Sequence, residues 1–199
     1  MKTKQCPIEQ ASKCGALAEL LALAAADVIE LFFGDESGFW QTPVVARAWQ
    51  FSGEEIRILP ERGRRLSVFG VLNLECEGRF WTSETTIKSE FIVDCLENWI
   101  LNKSERPRVL VLDNARIHRS RLVQSKLEEW EAKDFYIFHL PAYSPHLNII
   151  EILWRRMKYE WLKAKDYISF ERLKGAIREI LDKLGTEYKI EFKERAIIK

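Results

Sequence analysis

Cysteine is scarce and scattered. Cys6, Cys14, Cys76 and Cys95 form no C-x-x-C pair, and the three histidines do not complete a zinc pattern. A zinc module is excluded, and four dispersed cysteines without a secretory signal read as reduced thiols of a cytoplasmic protein. Glycine and proline number only nine and six, which excludes a fibrous or low-complexity chain. Long charge-free apolar runs are missing as well. The most apolar early stretch, Ala16–Phe33, contains Glu19, Asp27 and Glu30. That acid content argues against a membrane span, and Glu19 breaks up any signal-peptide core. There is no G-x-S-x-G elbow and no phosphate-cradling glycine loop, which argues against an α/β hydrolase. Nor does either charge dominate: 31 Lys+Arg against 30 Asp+Glu leave a net +1. Any nucleic-acid reading must therefore come from where the charges sit.

What is present is enough for a folded domain. The 199 residues are 47% hydrophobic and include 7 Trp, 11 Phe and 5 Tyr, which excludes disorder. Residues 1–14 read as a loose lead-in, followed by a short helix from Leu17 to about Ala26. A β-rich run, Val28–Gly34, is stopped by DESG, which has turn composition. A short strand is predicted at Val44–Phe51, then two tightly joined strands at Ser67–Glu75 and Gly78–Thr86. A helix follows at Lys88–Leu101, and the continuous apolar VLVL (Val109–Leu112) reads as a strand buried on both faces. Further elements are a helix at Ser120–Lys133, a strand at Phe135–Leu140, a helix at Leu147–Lys163 and a last helix at Ser169–Leu184, with Gly185 as its stop. The order is an antiparallel meander, then alternating strands and helices, then helices. This predicts an α/β fold with a mixed sheet flanked by helices, in one main domain over 27–185, preceded by 1–26 and followed by a tail, 186–199.

Three acids hold special places in this pattern. Asp35 ends the first strand, Asp113 ends the VLVL strand, and Glu151 lies early in the helix after PAYSP. Sites in open α/β sheets gather at the carboxyl ends of strands. Two carboxylates there and one from a covering helix could hold two divalent cations, about 3.5–4 Å apart, across a phosphodiester. Each acid also has a structural explanation. Asp35 could open the DESG turn, Asp113 could cap the chain after its strand, and Glu151 could pair with Arg155 at i,i+4. Cations gather nearby: four Lys/Arg and no acid from Asn114 to Lys126, five against Glu160 alone from Arg155 to Lys165, and Arg57, Arg62, Arg64 and Arg65 before SVFG. Clusters like these suit a phosphate-backbone track, and equally a solvated charged surface.

Taken together, DESGF at Asp35, VLDNARIHRS across Asp113 and LPAYSPHLNIIEILWRRMK across Glu151 resemble the three blocks of the Tc/mariner-type DDE transposases, nearest the bacterial insertion-sequence branch. The third block is the most specific. The resemblance implies a ribonuclease-H-like fold and a catalytic triad of Asp35, Asp113 and Glu151 binding two Mg²⁺ ions, with Mn²⁺ as a substitute. It implies DNA strand cleavage at transposon ends and strand transfer into target DNA, without a covalent enzyme intermediate. Asn114 and His118 would support the site, and Arg62, Arg64, Arg65, Arg116, Arg119, Arg155 and Lys158 would contact DNA.

The chain departs from the family pattern in several places. Thirty-seven residues separate Asp113 from Glu151, somewhat more than usual, and the excess is placed in Lys126–Asp134. Ala142, His146 and Ile149 stand where the family often has proline, a polar or acidic residue, and proline. Helix-turn-helix modules that read transposon ends find no room before the first strand. The chain therefore reads as a catalytic half, a homo-oligomer on DNA with a separately encoded helix-turn-helix half and no membrane association. Two alternatives stand: an inactive remnant that only binds DNA or partners, and a host nuclease sharing the fold.

Overall fold

The computed structural model describes residues 7–42, 63–142 and 144–192, so the strand predicted at Val44–Phe51 lies outside the described residues. The chain opens with α1 (Pro7–Ala25), which starts well inside the segment read as a loose lead-in. Proline suits the first helical position, and the alanine-rich sequence has high helix propensity even without a strong apolar stripe. Strand β1 (Glu30–Trp40) follows, then the hairpin β2 (Arg65–Leu72) and β3 (Gly78–Ser83), helix α2 (Ser89–Ile100) and strand β4 (Arg108–Leu112).

The helix predicted at Ser120–Lys133 is divided into α3 (Arg121–Gln124) and α4 (Leu127–Glu131). Between them Ser125 Oγ donates to the Leu122 carbonyl at 2.7 Å, a local bond of the kind that competes with a regular helix. Strand β5 (Phe135–His139) is followed by α5 (Ile150–Arg156), which runs into a π-helical turn at Met157–Trp161. Helix α6 (Phe170–Asp182) closes the body, and Gly185 beyond it takes a positive φ of 83°.

The five strands lie in the order β3-β2-β1-β4-β5, antiparallel from β3 to β1 and parallel from β1 to β5. This is the predicted mixed sheet. Alternate side chains sort to its two faces. Leu66, Val68 and Phe39 pack under Trp154, Met157 and the α6 residues Leu173 and Ile177. Phe69, Val71, Leu110 and Leu112 face Ile92, Leu96, Trp99 and Trp130 on the other side. Leu31, Phe33, Val109 and Val111 form a third cluster with Leu17 of α1. Burial on both faces explains why VLVL and SVFGVL are continuous apolar runs rather than alternating ones.

One correction bears on the site. DESG is not a turn: β1 continues through it to Trp40, paired with β2 from Phe33↔Leu72 to Trp40↔Arg65. Turn-forming residue types are overridden because a long antiparallel partner takes up the backbone hydrogen bonds. Asp35 is therefore a mid-strand residue.

Candidate active site

The register brings two of the acids together. The parallel pairing of β1 with β4 ends at Gly34↔Leu112, so Asp35 and Asp113 are each the next residue beyond that last pair. Past this point β1 keeps only its β2 neighbour, which opens the carboxyl end of β4. Glu151 arrives from α5, whose start is tied to β1 by Asn148. This buried side chain donates from Nδ2 to the Gly34 carbonyl at 3.0 Å, next to Asp35. All three acids line one cavity of about 450 Å³, together with Asn114, Arg116 and Asn148.

Their surroundings differ. Asp35 Oδ2 accepts a 3.1 Å hydrogen bond from the Trp154 indole Nε1. Burial, reinforced by the like charges of Glu151, Glu36 and Asp113, pushes the Asp35 carboxyl up to about 8, against the pull of a backbone hydrogen bond at Glu36. Asp113 goes the other way. Its Oδ1 accepts from His118 Nδ1 at 2.7 Å and from the Ala115 amide at 3.0 Å. The His118 bond, then the Ala115 bond, hold it below the usual range despite partial burial. Glu151 is raised by desolvation and by Asp113, with Lys158 opposing.

The structural explanations separate here. Asp35 opens no turn. Asp113 does bond its own turn through Ala115, but this uses Oδ1 alone, and among the described residues Oδ2 has no hydrogen bond. Among the described residues Glu151 makes no ion pair, with Arg155 or any other cation.

His118 is completely buried. Beyond Asp113, its Nε2 lies 3.0 Å from Glu36 Oε2, close enough for an ion pair but not aligned as a hydrogen bond. Burial pulls the His118 pKa down. The contacts with Asp113 and Glu36 outweigh it and push the imidazole up to about 10, so the ring is cationic. Asn114 receives Arg119 Nη1 on its side-chain oxygen at 2.8 Å, which places that arginine over the loop after β4.

The predicted DNA-binding cations divide into two groups. Arg116 lines the cavity and is exposed. Lys158 is half-buried over the Phe39 ring at 5.4 Å. Burial lowers its pKa while Glu151 and Asp35 raise it, which marks it as a neighbour of both acids. Arg65 lies over Trp40 at 5.5 Å and also acts on Lys158. Arg155 is exposed on α5. Arg64, in contrast, is bound to Glu84 and stacked on Phe170 at 4.1 Å, away from the acids. Arg62 lies outside the described residues.

Three residues of the site escaped the sequence reading. Trp154 reads in the sequence as an ordinary apolar residue of its helix, which hides its N–H. Asn148 sits inside the LN of the third block, with no charge to mark it. Glu36 was absorbed into DESG as turn composition. A second acid directly after Asp35 is the one available signal.

The donor set fits a hard divalent cation. Three candidate oxygen donors come from three elements; burial first, and neighbouring acids after it, raise the pKa of Asp35 and Glu151, and a bound cation would favour their ionised forms. Among the described residues no three His, Cys, Asp or Glu side chains already stand in coordinating positions, so an ion would draw these carboxylates together. A larger cavity, about 1050 Å³, opens at the other end of the sheet, but there Glu30 is already bonded to Arg108 at 2.7 Å. The carboxyl ends of the strands, where sites of open α/β sheets gather, hold the cavity lined by the three acids instead.

Known proteins share this architecture. The insertion element IS630 uncharacterized 39 kDa protein of Shigella sonnei is 26% identical over 154 residues, covering 76% of this chain and 44% of that protein. The mariner Mos1 paired end complex with Mg superposes at a TM-score of 0.67 with 18% identity, over 95% of this chain and 57% of its own. The catalytic domain of Mos1 mariner transposase gives 0.59 with 14% identity, over 95% and 85%. The HTLV-2 integrase catalytic core domain gives 0.50 with 14%, over 85% and 94%. These likenesses show a common ribonuclease-H-like fold, as the resemblance implied. The chain spans less than half the length of its curated relative. Among the described residues no helix is long and apolar enough to cross a membrane. A family model for the DDE superfamily endonuclease matches residues 30–174, from the start of β1 into α6, and the chain belongs to that family.

Proposed function

We propose that this chain is the catalytic part of a transposase of the bacterial insertion-sequence branch, cutting DNA at transposon ends and joining the freed 3′-hydroxyl to target DNA. The observation that carries this reading is the convergence of Asp35, Asp113 and Glu151 on one cavity, with Asp35 pushed up to about 8 by burial and like charge. These three acids would hold two divalent ions, Mg²⁺ or Mn²⁺ in its place. Such ions supply Lewis-acid activation of the attacking oxygen and neutralise charge on the leaving oxygen.

The chain's own residues do the rest. Trp154 and Asn148 fix Asp35 and the start of α5 relative to each other. Asn114 orients Arg119, and His118 holds Asp113. Arg116, Arg155, Lys158 and Arg65 offer charge to the phosphates on either side of the scissile bond. The catalytic unit is assigned to 27–185, acting in the cytoplasm as a homo-oligomer on DNA. A separately encoded helix-turn-helix half would recognise the ends.

The test is nicking of supercoiled plasmid by the purified chain in Mg²⁺ or Mn²⁺, beside Asp113→Asn. Nicking by the wild type and none by the variant is the expected result. Equal nicking by both would overturn the triad assignment. Cutting with no preference for inverted repeats, once the end-reading half is added, would favour a host nuclease instead.

A further inference from the structure

Glu36 is a partly buried acid with no part in the chemistry proposed above. It follows Asp35 on β1, so the two side chains leave opposite faces of the sheet. Asp35 turns toward Trp154 of α5, and Glu36 turns toward the loop after β4. There its Oε2 lies 3.0 Å from His118 Nε2, while His118 Nδ1 lies 2.7 Å from Asp113 Oδ1. The imidazole is wholly buried, and Glu36 Oε1 is buried with no hydrogen-bond partner. A wholly buried imidazole beside a buried carboxylate oxygen that is left unsatisfied costs stability that a neutral packing residue would not. Such an arrangement is kept where it controls something else.

What it controls is visible in Asp113. Both hydrogen bonds to that carboxylate fall on Oδ1, and one of them comes from the histidine that Glu36 backs. We propose that Glu36 is a positioning residue: it anchors His118 at Nε2 so that Nδ1 fixes Asp113 by Oδ1 and leaves Oδ2 to the divalent cation. Strand β1 thus serves the site from both faces, through Asp35 directly and through Glu36 by way of His118. Partners that orient a metal ligand in this manner change metal affinity by about 10–100-fold when removed. The inference rests on the triad reading, and its test separates the two.

Mn²⁺ binding to the full chain is measured by calorimetry for the wild type, E36Q, E36A, H118A, E36A/H118A and D113N, with the unfolding midpoint of each as a check on the fold. H118A should bind Mn²⁺ about 10–100-fold more weakly, and E36A, one contact further out, should show a measurable loss no larger than that. E36Q, which keeps the shape of the side chain and a polar oxygen beside Nε2 but drops the charge, should recover part of that loss. The double variant should bind no more weakly than H118A, because both changes break one chain of contacts. Proton NMR adds a readout that packing alone would not move: the downfield Nδ1 proton of His118 should shift in E36Q. Wild-type affinity in E36A with binding lost in D113N overturns the positioning role and leaves the triad standing. Wild-type affinity in D113N overturns both. Should E36A not fold, an unshifted Nδ1 proton in E36Q decides against the proposal.

Discussion

Trp154 donates its indole N–H to Asp35 Oδ2 at 3.1 Å, linking a core residue of α5 to an acid in the middle of β1. The same ring meets Phe39 and Phe80 edge-on, each with centroids 6.2 Å apart. One side chain therefore serves packing and the site together. Trp154→Phe keeps an aromatic in place but leaves the buried carboxyl without that donor. It should cost about 1–3 kcal/mol in urea unfolding, since an unsatisfied buried polar group carries a penalty of that size. It should also weaken Mn²⁺ binding. Unchanged stability and unchanged binding together would remove the indole from the site.

The pKa values set a pH dependence for the metal-free protein. Asp35 is raised from 3.8 to about 8, so the folded state holds its proton more tightly than the unfolded state. That contribution is complete below the unfolded value and is lost as pH rises through the folded one. His118, raised from 6.5 to about 10, has the same sign over a higher window. Thermal stability in chelator should therefore fall as pH rises from about 6.5 to about 10. Millimolar Mg²⁺ should protect more at the alkaline end, where the carboxylates are ionised and free to bind it. A flat or rising profile in chelator would contradict these environments.

Much of this was legible in the chain because the signals were local. VLVL followed by Asp113 marks a buried strand with an acid at its end, and Phe170, Leu173, Ile177, Ile180 and Leu181 lie on the α6 stripe as their spacing predicts. Asp35 stands on a different backbone from the one its sequence suggests. Its turn composition was plain in the sequence, whereas the pairing that overrides it comes from β2, some thirty residues away. The Glu36–His118–Asp113 contacts were hidden for the same reason, since they join three separate segments. Arg64 shows the converse: its place in a basic cluster suggested DNA, and its attachments to Glu84 and Phe170 come from tertiary packing.

Gly70 pairs with Asp35 across the β1–β2 ladder and has no room for a side chain. A Cβ there would lie 2.6 Å from Phe80 Cδ1 and 3.0 Å from Trp154 Cη2. Both rings are held by their neighbours, so Gly70→Ala should overpack the core by about 1–3 kcal/mol. Because one of the two rings pressed is the indole that bonds Asp35, metal binding should fall as well. Gly175→Ala, inside α6 with nothing within 4 Å of its Cβ, is the control: it should gain about 0.5–1 kcal/mol and leave metal binding unchanged. A Gly70→Ala protein as stable as wild type would show that the Phe80–Trp154 layer can yield.

The last prediction concerns the DNA track. Arg155 is exposed on α5, and Lys158 lies on the same helix close to Asp35 and Glu151. If both neutralise phosphates, replacing them with glutamine should make the fall of log affinity with log salt shallower by about 1.8, since each contact releases about 0.9 counterion. Arg64→Gln supplies the comparison: its charge is already committed to Glu84, so its slope should stay near wild type. The arrangement thus predicts two different slopes from two parts of the basic surface. A change with Arg64→Gln and none with the α5 pair would move the track to the β2 side of the molecule.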